Sequence, residues 1–156
     1  MRIKLLVMDV DGTLTDGRIY IGAKGEMMKA FDVKDGYAIA HMLPAAGITP
    51  VIITGRDSEI VKSRARELNI SELYQNVADK LEQLKKVAEK YKALPEEIAY
   101  IGDDLNDLEC IRYCGVTACP EDAVEEVKQE VGYICKHGGG RGSIREFVSR
   151  IGAIKI

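Results

Sequence analysis

Histidine is nearly missing from this chain: His41 and His137 are the whole supply in 156 residues. Neither has zinc-ligand company, so a His-rich metal centre or a His-based triad has little to be built from. The four cysteines, Cys110, Cys114, Cys119 and Cys135, form no Cys-x-x-Cys pair, and buried reduced thiols are expected. No stretch approaches the ~20 apolar residues that span a bilayer. The apolar run that opens the chain is too short for a signal peptide and meets Asp9 at once. A dominant sign of charge is lacking too: 22 Lys and Arg stand against 25 Asp and Glu, a formal charge of −3. A diffuse basic surface for nucleic acid is therefore not expected. No repeat, low-complexity tract or linker divides the sequence. These absences predict one soluble, cytoplasmic domain over residues 1–156, with no nucleic-acid or membrane partner and with carboxylates as its chemistry.

What is present alternates. Apolar, strand-length runs at 3–10, 48–54, 98–102 and 116–119, with a candidate edge strand at 132–135, are separated by helical patterns. Those patterns cover 36–46, 58–68, 81–91, 107–113, 123–130 and 143–151. Asp57 is the expected N-cap of the second, and Ser143 with Glu146 the expected capping box of the last. Pro44 should end or kink the first. Such alternation predicts an α/β fold with a mostly parallel sheet between helices. One piece breaks the rhythm: 18–21 and 26–31, joined around Gly22-Ala23-Lys24-Gly25, read as an inserted β-hairpin.

The chemistry gathers where strands end. Asp9-Val10-Asp11-Gly12-Thr13 follows the first strand, and ligands of open α/β sheets sit beyond such carboxyl ends. Two acids so close repel unless a cation or a shared proton intervenes, and a hard divalent cation such as Mg²⁺ suits oxygen ligands. Gly102-Asp103-Asp104-Leu105-Asn106-Asp107 follows a later strand and supplies three more carboxylates. Thr54-Gly55-Arg56 ends a third strand with a hydroxyl, a flexible turn and a cation, an anion-binding combination at a helix start. Lys80 begins a helical run. The glycine-rich run 138–142 is no P-loop, since no Gly-Lys-Ser/Thr follows; it reads either as a turn before Ser143 or as a tail that closes over a site with Arg141 reaching substrate.

In that order these residues resemble the haloacid dehalogenase superfamily of phosphotransferases over roughly residues 3–119. The resemblance implies a Rossmann-like fold with Asp9 as the nucleophile and Asp11 as general acid and then base. It implies Thr54 and Lys80 as phosphate ligands. It also implies Mg²⁺ held by Asp9, Asp103 and the main-chain carbonyl of Asp11, with Asp104 and Asp107 as acidic support. About 40 residues separate Asp11 from Thr54 and about 25 separate Thr54 from Lys80, too few for an inserted cap domain. Further stretches resemble the 3-deoxy-D-manno-octulosonate 8-phosphate phosphatase family: Asp11 to Gly17, Phe31-Asp32-Val33-Lys34-Asp35-Gly36, Ala78-Asp79-Lys80 and the run 138–142. That family implies a hairpin flap (17–31), a glycine-rich loop with C-terminal helix and tail (137–156), a homotetramer with packed hairpins, and a sugar-acid phosphate on the way to lipopolysaccharide. Ile19, Tyr20 and Ile21 suit the hairpin contact. Gly55, Arg56 and Arg64 are the expected substrate contacts, with arginine able to clamp the sugar's carboxylate.

A related branch acting on nine-carbon 9-phosphate sugar acids (2-keto-3-deoxynononate or sialate) typically carries an acid after Thr-Gly, so Arg56 favours the eight-carbon ester. Two rivals belong to another class. A phospho-switch receiver requires its lysine last, whereas here the second acidic cluster follows Lys80. A non-catalytic oligomerisation module requires no filled catalytic positions, and here all are filled.

Overall fold

The computed structural model describes residues 2–152; the end of the expected tail, 153–156, lies outside the described residues. Six parallel strands form one sheet: β1 (Leu5–Met8), β4 (Thr49–Ile53), β5 (Glu72–Tyr74), β6 (Ile98–Ile101), β7 (Val116–Cys119) and β8 (Tyr133–Ile134). Their order is β5-β4-β1-β6-β7-β8. β2 (Tyr20–Gly22) and β3 (Gly25–Met28) make the separate antiparallel hairpin, shorter than the sequence pattern. β5 is a strand that the apolar pattern does not single out, because its first residue is Glu72. That carboxylate is satisfied by the Tyr74 and Tyr91 hydroxyls and the Lys90 ammonium.

Period-2 alternation sorts the strand side chains onto two faces. Leu6, Met8, Ile52 and Ile101 meet Ile39, Leu43 and Phe147 on one side. Leu5, Val7, Val51 and Tyr100 meet Leu84, Val87 and Ile111 on the other. Helices therefore cover both faces: α1 (Val33–Tyr37), α2 (Leu43–Ala46), α3 (Glu59–Glu67) and α7 (Ser143–Gly152) on the first; α4 (Lys80–Lys90), α5 (Leu108–Tyr113) and α6 (Glu125–Lys128) on the second. The strand order reverses direction at β1, with β4 on one side and β6 on the other. The carboxyl end of β1 is thus the switch-point crevice where such sheets bind ligands.

Two local expectations are corrected, and the choice left open at Pro44 is narrowed. Pro44 does not end its helix: Ala38–Met42 forms a π-turn between α1 and α2, with the Leu43 N–H bonding to the Ala38 carbonyl, so the coil passes the proline and stops at left-handed Gly47. The five-residue turn shifts the hydrogen-bond register just where proline has no N–H to offer. Ser58, not Asp57, caps α3, its hydroxyl accepting from the Val61 N–H. Ser143 and Glu146 form no capping box: the buried Ser143 hydroxyl has no partner among the described residues. Glu146 instead turns outward to the N–H groups of Lys136 and His137.

All four cysteines are free and buried. Burial pushes the Cys110 and Cys135 thiols up to about 12, as expected of inert, reduced side chains.

Candidate active site

β1 delivers Asp9 into the crevice as a buried carboxylate. β6 delivers Asp103 beside it, and α4 delivers Lys80 from its first position, behind the Asp79 cap. One carboxylate oxygen from each of Asp9, Asp103 and Asp107 lies within 4.8 Å of the others. The Lys80 ammonium bridges two of them, 2.9 Å from Asp9 Oδ1 and 2.9 Å from Asp107 Oδ1. Thr13 Oγ1 donates to Asp103 Oδ1 at 2.8 Å. The turn that follows the two acids of the first motif must pass directly under Asp103: a Cβ at Gly12 would stand 1.9 Å from Asp103 Oδ2, and its φ is +91°. Glycine is required there on both counts.

The electrostatics follow from burial. Three carboxylates share one ammonium, so full ionisation would leave two negative charges in the site. Desolvation, helped by the charge on Asp107 and opposed by Lys80, holds Asp9 above the usual carboxylate range. Desolvation and the neighbouring Asp9 raise Asp103 as well. Burial pulls the Lys80 pKa down, but the charges of Asp9 and Asp107 outweigh it and hold the ammonium above its ordinary value. Two adjacent acids that resist joint ionisation, with hard oxygen donors facing each other, fit a divalent cation of the Mg²⁺ class.

Asp107 has a different task from that pair. Its Oδ1 accepts from Lys80 and from the Tyr100 hydroxyl (2.6 Å), and its Oδ2 from the N–H groups of Asp103 (2.9 Å) and Asp104 (3.2 Å). With both oxygens so engaged it fixes the loop that carries Asp103, and Asp9 and Asp103 are the side chains that could hold a metal. Asp104 is exposed, its carboxylate accepting from the Leu105 N–H at 2.7 Å.

Asp11 leaves the same strand but stands at the rim, with 20% of its side chain exposed. Lys29, just beyond β3, reaches it with a side chain that is 1% exposed and also contacts Glu26 Oε2 at 3.1 Å. Arg56, 48% exposed, lies with Nε 4.0 Å from Asp11 Oδ2 and Nη2 3.4 Å from Glu26 Oε2. The Ser58 hydroxyl donates to Glu26 Oε1 at 2.6 Å. The hairpin is thereby tied to the acidic loop within one chain.

Thr54 is buried at the end of β4, its N–H donating to the Tyr74 carbonyl. Gly55 and Arg56 follow in an exposed turn and not at a helix start, because α3 begins only at Glu59. Arg64 is not brought to the acidic cluster. Its guanidinium lies over the Phe31 ring, donates to the Asp32 carbonyl and pairs with Glu67. Arg141 is exposed.

Lys29, Glu26, Tyr100 and Thr13 are the site residues that sequence reasoning passes over. Thr13 sits inside a quoted motif without a role. Tyr100 is a polar-tipped aromatic in an otherwise apolar strand directly before the second acidic cluster, and that was a usable signal. Lys29 offers none, because its partner lies 18 positions away across a turn.

A model of haloacid dehalogenase-like hydrolases matches residues 65–143 of the chain. 3-Deoxy-D-manno-octulosonate 8-phosphate phosphatase KdsC of Escherichia coli strain K12 is 42% identical over 144 residues, 92% of this chain and 76% of that protein. Among solved structures, the 3-deoxy-D-manno-octulosonate 8-phosphate phosphatase of Moraxella catarrhalis, in complex with magnesium ion, phosphate ion and a KDO molecule, superposes with a TM-score of 0.91. It is 41% identical and the match covers 96% of this chain and 85% of that one. The cobalt-bound deoxy-D-mannose-octulosonate 8-phosphate phosphatase of Haemophilus influenzae gives 0.93 at 36% identity, covering 96% and 87%.

Proposed function

The chain belongs to the haloacid dehalogenase-like hydrolases, in the branch of the 3-deoxy-D-manno-octulosonate 8-phosphate phosphatases, and from that membership we propose that it hydrolyses this sugar-acid phosphate to the free sugar acid and phosphate. The observation that carries the reading is the buried meeting of Asp9, Asp103 and Lys80 at the switch point. Asp9 attacks phosphorus and the P–O bond to the sugar breaks, leaving a phosphoryl group on its carboxylate. Asp11 gives its proton to the departing alkoxide. It then takes a proton from the water that attacks the phosphoaspartate, releasing phosphate and restoring Asp9. Bound Mg²⁺, held by the Asp9 and Asp103 carboxylates and the Asp11 main-chain carbonyl, would supply the positive charge that lets a carboxylate approach a phosphate dianion. Lys80 carries further positive charge to the phosphoryl oxygens, and the Thr54 hydroxyl and Gly55 turn bind them. Asp107 and Asp104 hold the loop of Asp103.

Arg56, at the mouth beside Asp11, suits the carboxylate of an eight-carbon acid. Arg64 is already engaged with α1, so of the two arginines Arg56 is the specificity candidate. Phosphate release from the eight-carbon 8-phosphate and a nine-carbon 9-phosphate, measured side by side with Asp9→Asn as blank, tests this. Preference for the eight-carbon ester, abolished in the variant, is expected; preference for the nine-carbon ester overturns the substrate, and release from neither overturns the function.

The hairpin supports a homotetramer as the working assembly. Ile21 and Met27 are 66% and 69% exposed, a costly presentation of apolar surface unless another copy covers it. Light scattering should read four chains for the native protein and fewer for Ile21→Glu; a native monomer would remove the assembly from the reading. No helix among the described residues is long and apolar enough to cross a membrane, and four unpaired thiols suit a reducing, cytoplasmic compartment.

A further inference from the structure

The glycine-rich run 138–142 is used by none of the chemistry above, yet its backbone lies against the loop that carries Asp9 and Asp11. The Gly140 N–H donates to the Thr13 carbonyl at 3.1 Å. A Cβ on Gly139 would stand 2.0 Å from the Gly12 carbonyl oxygen and 2.6 Å from that of Thr15. One on Gly140, whose φ is +65°, would stand 2.7 Å from the Asp16 nitrogen. All these neighbours are backbone, so no side chain can rotate aside to make room.

Three carboxylates from separate elements anchor the run. Asp122 accepts from the Gly139 N–H at 2.9 Å. Buried Asp35, on α1, accepts from the N–H groups of Gly142 (3.4 Å) and Arg145 (2.8 Å). Glu146 accepts from the Lys136 and His137 N–H groups and lies 2.6 Å from His137 Nδ1. The N–H groups of Gly139, Gly140 and Gly142 thus already serve protein acceptors, and the segment is built neither as a phosphate cradle nor as a lid.

We propose that Gly139 and Gly140 are positioning residues: a side-chain-free strut, anchored by Asp35, Asp122 and Glu146, wedges against the 12–15 turn and fixes where Asp9 and Asp11 stand. In the phosphatase an ångström of misplacement at the reacting carboxylate costs on the order of 10²-fold in rate, so the strut acts on kcat. It leaves KM for the ester little changed, because Thr54 and Lys80 come from other elements. The kinetic arm rests on the phosphatase reading; the structural arm does not.

The test is Gly139→Ala in the full chain, read by steady-state kinetics and by hydrogen exchange of the amides at Thr13, Leu14 and Thr15, all of which donate to the Val10 carbonyl. A fall in kcat on the order of 10²-fold, KM within about twofold, and faster exchange at 13–15 with α4 unchanged is expected. Gly152→Ala is the control, since a Cβ there would meet nothing within 4 Å, and should stay near native. Native kcat or native exchange at 13–15 in folded Gly139→Ala overturns the proposal. Where Gly139→Ala does not fold, Glu146→Gln loosens the anchor at a distance. Faster exchange at 136–140 must then carry faster exchange at 13–15; loosening of the first alone, or of neither, overturns the strut. A native chain that releases no phosphate removes the function, while the exchange coupling still decides the strut.

Discussion

Asp9 and Asp11 leave one strand two residues apart, yet they occupy different physical settings. The floor of the site, around Asp9, is built by β1, β6 and α4 and is buried, with three carboxylates against the single ammonium of Lys80. The rim, around Asp11, is built by the hairpin and the turn after β4. It is partly exposed, and Asp11 and Glu26 face Lys29 and Arg56, two charges against two. A floor with surplus negative charge in low dielectric demands a cation. A balanced rim in contact with water exchanges partners and protons at little cost. The same side chain thereby suits a fixed nucleophile in one place and an acid/base in the other, a division set by environment.

The contrast predicts unequal losses. Lys80→Met strips the floor of its own cation and leaves Asp9 and Asp107 buried without it. Metal-free stability should fall by about 3–5 kcal/mol, as when one partner of a buried pair is removed. The fall in kcat should be on the order of 10²–10³-fold, the scale of a lost charge-stabilising donor. Denaturant melts and phosphate release check both, and a variant as stable as the native chain would show that the floor is not charge-limited.

Lys29→Met should cost less. Its charge leaves the rim, but Arg56 remains beside Asp11 and Glu26. We expect about a tenfold fall in kcat, below the 10²–10⁴-fold that general acid–base catalysis supplies, and a smaller stability change than in Lys80→Met. Equal losses in the two variants would erase the distinction between floor and rim.

The floor is legible in the sequence and the rim only in part, Asp11 and Arg56 being readable but not Lys29 and Glu26, for a physical reason. Asp9, Thr54 and Asp103 sit at strand ends, and strands announce themselves by local apolar runs, so a parallel sheet brings such residues together whatever their separation. The apolar run 116–119 coincides with its strand to the residue. Lys80 is legible through its place in the order of motifs, although its burial is not. Lys29 reaches Asp11 only through the path of the hairpin, which no local periodicity encodes. The same holds for Arg64, which α3 turns toward Phe31 and Asp32, and for Glu146, which left its own helix for the 136–137 backbone. Pattern reads each residue's element; it does not read which neighbour a long side chain chooses.

Asp35 takes the comparison one step further, because it is buried like Asp9 but satisfied by backbone N–H groups and by no direct ion pair among the described residues. Burial pushes its carboxyl up to about 6, the charge of Asp32 adds to this, and the Arg145 and Gly142 N–H groups and His137 pull against it. A folded-state value above the unfolded one, ~3.9, means that its favourable contribution is fully present below about pH 4. That contribution is lost as pH rises through about 6, where the folded chain must bury a charge. The Asp35→Asn variant buries no charge at this position, and the new amide oxygen still accepts from the Arg145 N–H. Its melting temperature minus the native one should therefore rise between pH 4.5 and 7. Asp32, His137 and Glu146 are common to both chains and largely cancel in that difference. The effect should be the smallest of the three, since no ion pair is broken. A difference that stays flat with pH would mean that the N–H groups outweigh burial, and that a buried carboxylate here needs no cation even when charged.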